Sequence, residues 1–161
     1  MMTIAYITHH DCTLHQMGAH HPEDPRRLSA INDRLIASGL MMALHQHDAP
    51  EATREQILRA HDADYLDQLL RQAPGEELLW VDEDTAMNAH TVQAMLRAAG
   101  AGVLAVDLVA EGRARQAFCA VRPPGHHAER RRAMGFCFLN NVAIAALHAL
   151  AHHGLDRVAI V

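Results

Sequence analysis

Residues 117–138, AFCAVRPPGHHAERRRAMGFCF, join an apolar run to a loop that presents two adjacent histidines. Residues 117–121 are almost continuously apolar, which predicts a β-strand buried on both faces of a parallel sheet. The two prolines that follow restrict the backbone, and Gly125 permits an abrupt turn into His126 and His127. In parallel α/β folds, chemistry is built at the carboxyl ends of strands. This stretch therefore predicts both the fold class and the position of a site.

The rest of the chain alternates strand-like and helix-like segments. We expect an α/β fold around a mainly parallel sheet, because such alternation is typical of βαβ units. Gly100 and Gly102 interrupt the longest helical stretch and should allow close packing against a neighbour. The predicted strands cover residues 3–8, 40–45, 117–121 and 157–161, and the predicted helices cover residues 25–37, 55–60, 62–72, 84–110 and 140–153.

Composition restricts the function classes. The chain has 161 residues and a formal net charge of −5, which predicts one compact domain without a nucleic-acid partner. Three widely spaced cysteines form no CxxC pair, so neither a disulfide framework nor a cysteine zinc site is indicated. No signal-peptide pattern opens the sequence, and the apolar run 142–150 is too short to cross a bilayer. We expect a cytoplasmic protein that does not bind a membrane.

The histidine loop is the main candidate site. General acid–base catalysis needs a base held within hydrogen-bond reach of its proton, and a stiff loop ahead of His126 and His127 supplies such positioning. Downstream, Gly135 would let the backbone approach a ligand, and Phe136 would offer an apolar wall. The alternative is a polar surface loop followed by two phenylalanines, at 136 and 138, that only anchor the next helix.

Three motifs resemble the histone deacetylase superfamily, which also contains acetylpolyamine amidohydrolases and acetoin-utilisation proteins. RPPGHHA followed by MGFCFLNNVAIAA is similar to the family's tandem-histidine loop, and LHQMGAHHPEDPRRLSAI (residues 14–31) resembles its HPE-x-P-x-R signature. A third segment, ILRAHDADYLDQL (residues 57–69), is a weaker match. The resemblance extends over essentially the whole sequence.

The resemblance implies roles for individual residues. His126 and His127 match the two histidines beside a zinc-bound water and would act as general base and acid. Asp84 matches a rim aspartate that binds the substrate backbone, although Asp82 and Glu83 are close enough to blur that alignment. Cys137 would pack near the site without acting as a nucleophile. Gly135 and Phe136 match the walls of the acyl-chain tunnel, and Arg27 matches the arginine at the foot of the internal cavity.

The resemblance also implies a zinc ion, with potassium as a further expected ion. The family's zinc ligands, an aspartate and a histidine in a D-x-D-x-H segment and a later aspartate, are expected after Val161. The transition-state tyrosine and the aspartates that orient the tandem histidines are also not found here. We therefore expect residues 1–161 to be the amino-terminal portion of a single deacetylase-like catalytic domain, with an arginase/deacetylase-like three-layer fold that is incomplete in this chain.

Several alternatives remain open from the sequence. The expected function is hydrolysis of an acetylated small amine or of acetyl-lysine in a protein. The competing hypotheses are a non-catalytic deacetylase-like protein that binds or assembles, and a small acyl- or amine-binding module without metal. His148 and His152 have i, i+4 spacing and could share a metal, but no carboxylate is near them in sequence. Assembly into a homo-oligomer also stays open.

Overall fold

A three-stranded parallel sheet forms the centre of the structure. The computed structural model describes residues 3–72 and 74–161. In it, β1 (Ile4–Thr8) lies between β2 (Leu44–Asp48) and β5 (Gln116–Cys119), and both neighbours run parallel to it. A separate antiparallel hairpin contains β3 (Leu79–Asp82) and β4 (Thr85–Met87). The predicted α/β class with a parallel sheet is confirmed.

Helices cover the sheet and connect its strands. A 3-10 helix, Leu40–Ala43, leads into β2. The α-helices are α1 (Asp11–Leu14), α2 (Arg26–Ala37), α3 (Arg54–Leu58), α4 (Ala63–Arg71), α5 (Thr91–Ala110) and α6 (Asn141–His153).

The sheet lies between two helical layers. Successive side chains of β1 point to opposite faces of the sheet, and each face packs against a helix. Ala5 and Ile7 are fully buried in a cluster with Leu108 of α5. Tyr6 points to the other face, where it packs in a cluster with Leu28 of α2. The central strand is therefore covered on both sides, which is the three-layer arrangement expected from the sequence.

Helix α5 is the central helix of the core. A Cβ atom added at Gly100 would lie 1.9 Å from the Pro50 carbonyl oxygen, so only glycine lets the helix approach that backbone so closely. By length and hydropathy α5 could also cross a membrane, a property that core helices of soluble proteins share, and 50% of its most apolar window is buried inside the protein. The predicted role of Gly100 in close packing is confirmed.

The structure corrects the start of that helix. We predicted it from Asp84, whereas α5 begins at Thr91 and residues 85–87 form β4. Trp80 is paired with Ala86 across the hairpin, and the Asn88 side chain accepts a hydrogen bond from the Thr91 hydroxyl at the helix start. Pairing with β3 thus overrides the helical propensity of Ala86 and Met87.

Three strand predictions also change. The predicted strand 40–45 is a 3-10 helix followed by β2, which begins only at Leu44. The predicted strand 117–121 is observed as Gln116–Cys119, with Phe118 45% exposed rather than buried on both faces. Residues 157–161 are exposed and pair with no strand among the described residues, so the predicted strand there is not formed.

Candidate active site

The histidine loop leaves the sheet at the carboxyl end of β5, as the sequence predicted. The Ala120 amide donates to the carbonyl oxygen of Ile7 at 2.8 Å, and the Thr8 hydroxyl donates to the Ala120 carbonyl oxygen at 2.8 Å. These bonds fasten the start of the loop to β1. The start of the loop is therefore held against β1, the most buried strand of the sheet.

Arg122, two residues after Ala120, anchors the loop inside the protein. Its guanidinium is fully buried and donates from Nε to Glu23 Oε1 at 2.7 Å and from one terminal nitrogen to Glu23 Oε2. The other terminal nitrogen donates to the Cys12 carbonyl oxygen at 2.7 Å. Because Glu23 is in the HPE segment, this ion pair joins two of the motifs that the sequence analysis singled out.

Two asparagines at the start of α6 hold the loop from the other side. The Asn140 side chain caps α6 by accepting from the Ala143 amide, and its amide nitrogen donates to the Ala128 carbonyl oxygen at 3.0 Å. The Asn141 side chain donates to the Pro123 carbonyl oxygen at 3.3 Å. The segment that carries the two histidines is thus held at both ends.

Gly125 is needed for space rather than for an unusual backbone angle. It is not among the positive-φ glycines, so the abrupt turn predicted at Gly125 is made without a left-handed backbone. A Cβ atom there would lie 2.5 Å from both the Asn141 amide nitrogen and the Leu139 carbonyl oxygen. His126 and His127 follow it with exposed side chains whose ring centroids lie 4.2 Å apart.

A tight turn supports His127. Met134 and Cys137 exchange backbone hydrogen bonds, and Gly135 and Phe136 between them have φ values of 57° and 70°. Positive φ at both central residues is the signature of a type I′ turn. A Cβ atom on Gly135 would lie 2.9 Å from the His127 ring, so the absence of a side chain at this position leaves room for the imidazole.

The turn tip contacts the hairpin across the cleft. The Phe136 amide donates to the buried Thr85 hydroxyl at 2.9 Å, and that hydroxyl donates to the Asp84 carboxylate at 2.9 Å. The Phe136 ring meets His21 edge-on, with centroids 4.6 Å apart, and His21 Nε2 donates to the Asp84 carbonyl oxygen. Phe138, in contrast, is fully buried in the core.

The six predicted site residues line one cleft of about 380 Å³. Its volume is within the range of small-molecule sites. Asp84 lines it, whereas Asp82 points to Arg132 and does not. The chemical roles of the six residues stay predictions. The predicted residues are His126, His127, Gly135, Phe136, Asp84 and Arg27, and Pro22, Glu23 and Pro124 complete the lining.

The buried polar groups beneath this cleft were not predicted from the sequence. Glu23 accepts from Arg122 and also from Arg27, whose Nη1 lies 3.3 Å from its carboxylate. His15 is fully buried 3.6 Å from the same carboxylate, and its Nε2 has no hydrogen-bond partner. Burial, together with the positive charge of Arg122, lowers the pKa of His15 to about 3. The glutamate of the HPE segment was the sequence signal for this cluster.

The thiol beside the turn is not activated. Cys137 is buried, and burial raises the pKa of its thiol above the ordinary value. Its Sγ donates to the Gly135 carbonyl oxygen at 3.2 Å. Since a nucleophilic cysteine needs a lowered pKa, the packing role expected for Cys137 agrees with this environment.

The cleft residues do not form a metal site by themselves. Within residues 3–72 and 74–161, one group of three or more histidine, cysteine or carboxylate side chains converges closely enough to hold an ion, and it belongs to α5 and α6. In the cleft, the two histidines and the carboxylates of Glu23 and Asp84 do not meet in such a group. The donor set of a catalytic zinc is therefore not supplied by the described residues that line this cleft.

Comparison with known proteins shows what the chain is similar to. The family model described as histone deacetylase domain matches residues 21–161. A histone deacetylase-like amidohydrolase of Pseudomonas aeruginosa is 39% identical over 144 residues, which cover 88% of this chain and 36% of the relative. Polyamine deacetylase HDAC10 of Homo sapiens is 39% identical over 170 residues, which cover 99% of this chain and 25% of the relative.

A solved structure agrees with these relatives. The crystal structure of the HDA15 HD domain superposes with a TM-score of 0.88 at 33% identity, covering 94% of this chain and 44% of that domain. The chain thus spans less than half the length of each of these three proteins. Both the sequence and the fold place the chain in the histone deacetylase family.

Proposed function

We propose that the chain is the amino-terminal part of a catalytic domain that hydrolyses the amide of an acetylated amine. The observation that carries the proposal is the convergence on one cleft of residues from three separate segments, at positions 22–27, 84 and 124–136. The relatives named as amidohydrolase and polyamine deacetylase support an acetylated amine as the substrate class.

In the proposed reaction, His126 and His127 transfer protons. One imidazole takes a proton from a water molecule while the water oxygen attacks the acetyl carbonyl carbon. As the carbon–nitrogen bond breaks, an imidazolium gives a proton to the leaving nitrogen, and acetate and the free amine result. The adjacent rings, 4.2 Å apart, are exposed to the cleft and can serve the two transfers.

The cleft walls would orient the substrate. Phe136 offers an apolar face to the carbon chain beside the amide, and Asp84 offers a carboxylate at the exposed rim to a polar or cationic part of the substrate. Arg27, whose side chain is 55% exposed, would attract the acetate product. Zinc dependence is part of the proposal, with potassium as a further ion, and the zinc ligands are expected from segments other than those that line this cleft.

The test is hydrolysis of an acetyl-lysine peptide and of an acetylated polyamine by the whole protein, with acetate release as the readout. His127→Ala should lower kcat by about 10²- to 10⁴-fold, the usual contribution of a positioned acid or base. His45→Ala, which removes an exposed strand histidine, is the matched control and should keep full activity. Hydrolysis by His127→Ala at the normal rate would overturn the assignment.

A binding protein without hydrolytic activity is the second candidate. The observation that favours it is that the described cleft residues lack a three-donor metal group. Acetate release separates the binding protein from the enzyme. A binding protein would show shifted NMR signals of the cleft residues when acetylated amine is added, but it would release no acetate. A chelator that abolishes acetate release would support zinc-dependent catalysis instead.

A further inference from the structure

A cluster of histidines joins the last two helices at the opposite end of the sheet from the cleft. Helix α5 ends at Ala110 and leads back into the start of β5, whereas the cleft follows the end of β5. Near its end, α5 carries Asp107, which faces three histidines in the last turns of α6. The side chains of Asp107, His148, His152 and His153 each offer one donor atom, and these atoms all lie within 4.8 Å of one another.

The cluster is built on rigid elements and is preorganised by hydrogen bonds. Nε2 of His148 and Nε2 of His153 each lie 2.7 Å from Asp107 Oδ1. His148 and His152 occupy i, i+4 positions, and their rings stack with centroids 4.8 Å apart. Helices α5 and α6 therefore hold the four donor atoms close together before any ion binds.

We propose that Asp107, His148, His152 and His153 form a binding site for a divalent transition-metal ion of the zinc class, separate from the cleft. Three imidazoles and one carboxylate make up a four-donor set of the types that Zn²⁺ accepts in tetrahedral sites. His152 is exposed and Asp107 is 26% exposed, so an ion can enter from solvent. The site tethers α6 to α5 when the ion is bound, independently of any hydrolysis.

Arg59 opposes binding through His148. Its Nη1 lies 3.0 Å from His148 Nδ1, and because arginine only donates, this ring nitrogen must accept and Nε2 must carry the proton. A metal on Nε2 would move that proton to Nδ1, where it would face the Arg59 donor. Arg59 also donates to Glu55 at 2.9 Å, an exposed carboxylate toward which it can turn. Metal binding therefore competes with the contact between Arg59 and His148.

The first test is calorimetric titration of Zn²⁺ into the whole, chelator-stripped protein. The wild type should bind one more equivalent than His152→Ala/His153→Ala, and His45→Ala/His47→Ala, which removes two histidines from β2, should keep the wild-type stoichiometry. Because loss of an outer partner of a metal ligand already costs about 10- to 100-fold in affinity, loss of one ligand in His152→Ala should cost at least tenfold. Equal stoichiometry in the wild type and in the His152/His153 variant would overturn the proposal.

The second test uses the arginine. Arg59→Gln replaces the donor by a side chain whose amide oxygen can accept the proton on His148 Nδ1, and it should tighten Zn²⁺ binding several-fold. In the visible spectrum of the Co²⁺-loaded protein, the intense bands of a tetrahedral site should be present in the wild type and absent from His152→Ala/His153→Ala. Unchanged Zn²⁺ affinity in Arg59→Gln would exclude His148 Nε2 as a ligand and overturn the four-donor site.

Discussion

Breaking the buried ion pair between Glu23 and Arg122 from one side should be among the most destabilising single substitutions in the structure. The Arg122 guanidinium is 0% exposed and Glu23 is 2% exposed, and two of the guanidinium nitrogens donate to the carboxylate. Glu23→Ala removes both acceptors and leaves a positive charge in the interior. We expect this substitution to lower the free energy of unfolding severely.

The expected magnitude follows from burial. Removing one partner of a buried ion pair costs about 3–5 kcal/mol, which is a large share of the roughly 5–15 kcal/mol that holds a domain folded. The Cys12 carbonyl oxygen still accepts from Arg122 and limits the loss. Arg27 adds little, because its side chain is 55% exposed and water can replace Glu23 as its partner.

The assay is urea-induced unfolding followed by circular dichroism. The dependence of the unfolding free energy on urea concentration is compared between wild type and variant, to verify that both expose the same surface area on unfolding. The matched control is Asp67→Ala, which breaks the ion pair with Arg54, whose two side chains are 49% and 38% exposed. That control should cost about 0–1 kcal/mol. If Glu23→Ala costs no more than the control, the reasoning about burial is wrong.

A double substitution covers the case in which Glu23→Ala does not fold. Glu23→Leu/Arg122→Met removes both charges and fills their volume with apolar side chains. Replacement of a buried ion pair in this manner is often neutral or stabilising, so the double variant should be more stable than Glu23→Ala. A double variant less stable than Glu23→Ala would show that the stability lost in Glu23→Ala does not come from the unpaired charge of Arg122.

Two further predictions concern the cleft and its foundation. Gly135→Ala should lower hydrolysis more than stability, because its new methyl group would meet the His127 ring at 2.9 Å. The control is Gly39→Ala, at a position with a similar positive φ and nothing within 4 Å, which should cost only the backbone strain of about 1–2 kcal/mol. Equal activity in the two variants would refute this prediction. His15 is held neutral with a pKa of about 3, so the unfolded chain binds more protons below about pH 6.5 and stability falls from there toward pH 3. In His15→Gln the free energy of unfolding should depend less steeply on pH across this window, by up to about 1.4 kcal/mol per pH unit, and an unchanged slope would contradict the low pKa.

The local elements of this protein could be predicted from the sequence because their signals are local. The β-branched run at residues 3–8 and the helical spacing of apolar residues after Pro25 both appear as predicted, as β1 and α2. The two prolines and the HPE segment indicated where the cleft is built, since each motif is continuous in the chain. The predicted helix start at Asp84 and the predicted strand at residues 157–161 were wrong. Both depend on whether another segment pairs with these residues through backbone hydrogen bonds.

What only the tertiary structure decided is which distant side chains meet. Arg122 is paired with Glu23, 99 residues away, and Asp107 meets a histidine pair beside which the sequence showed no carboxylate. Such contacts have no periodic or local signature, because they arise from the packing of helices and the parallel order of strands. The sequence alone determined that two histidines follow a strand of the parallel sheet. Folding decided that an ion pair fixes their loop, and that Gly135 leaves room for one of the two rings.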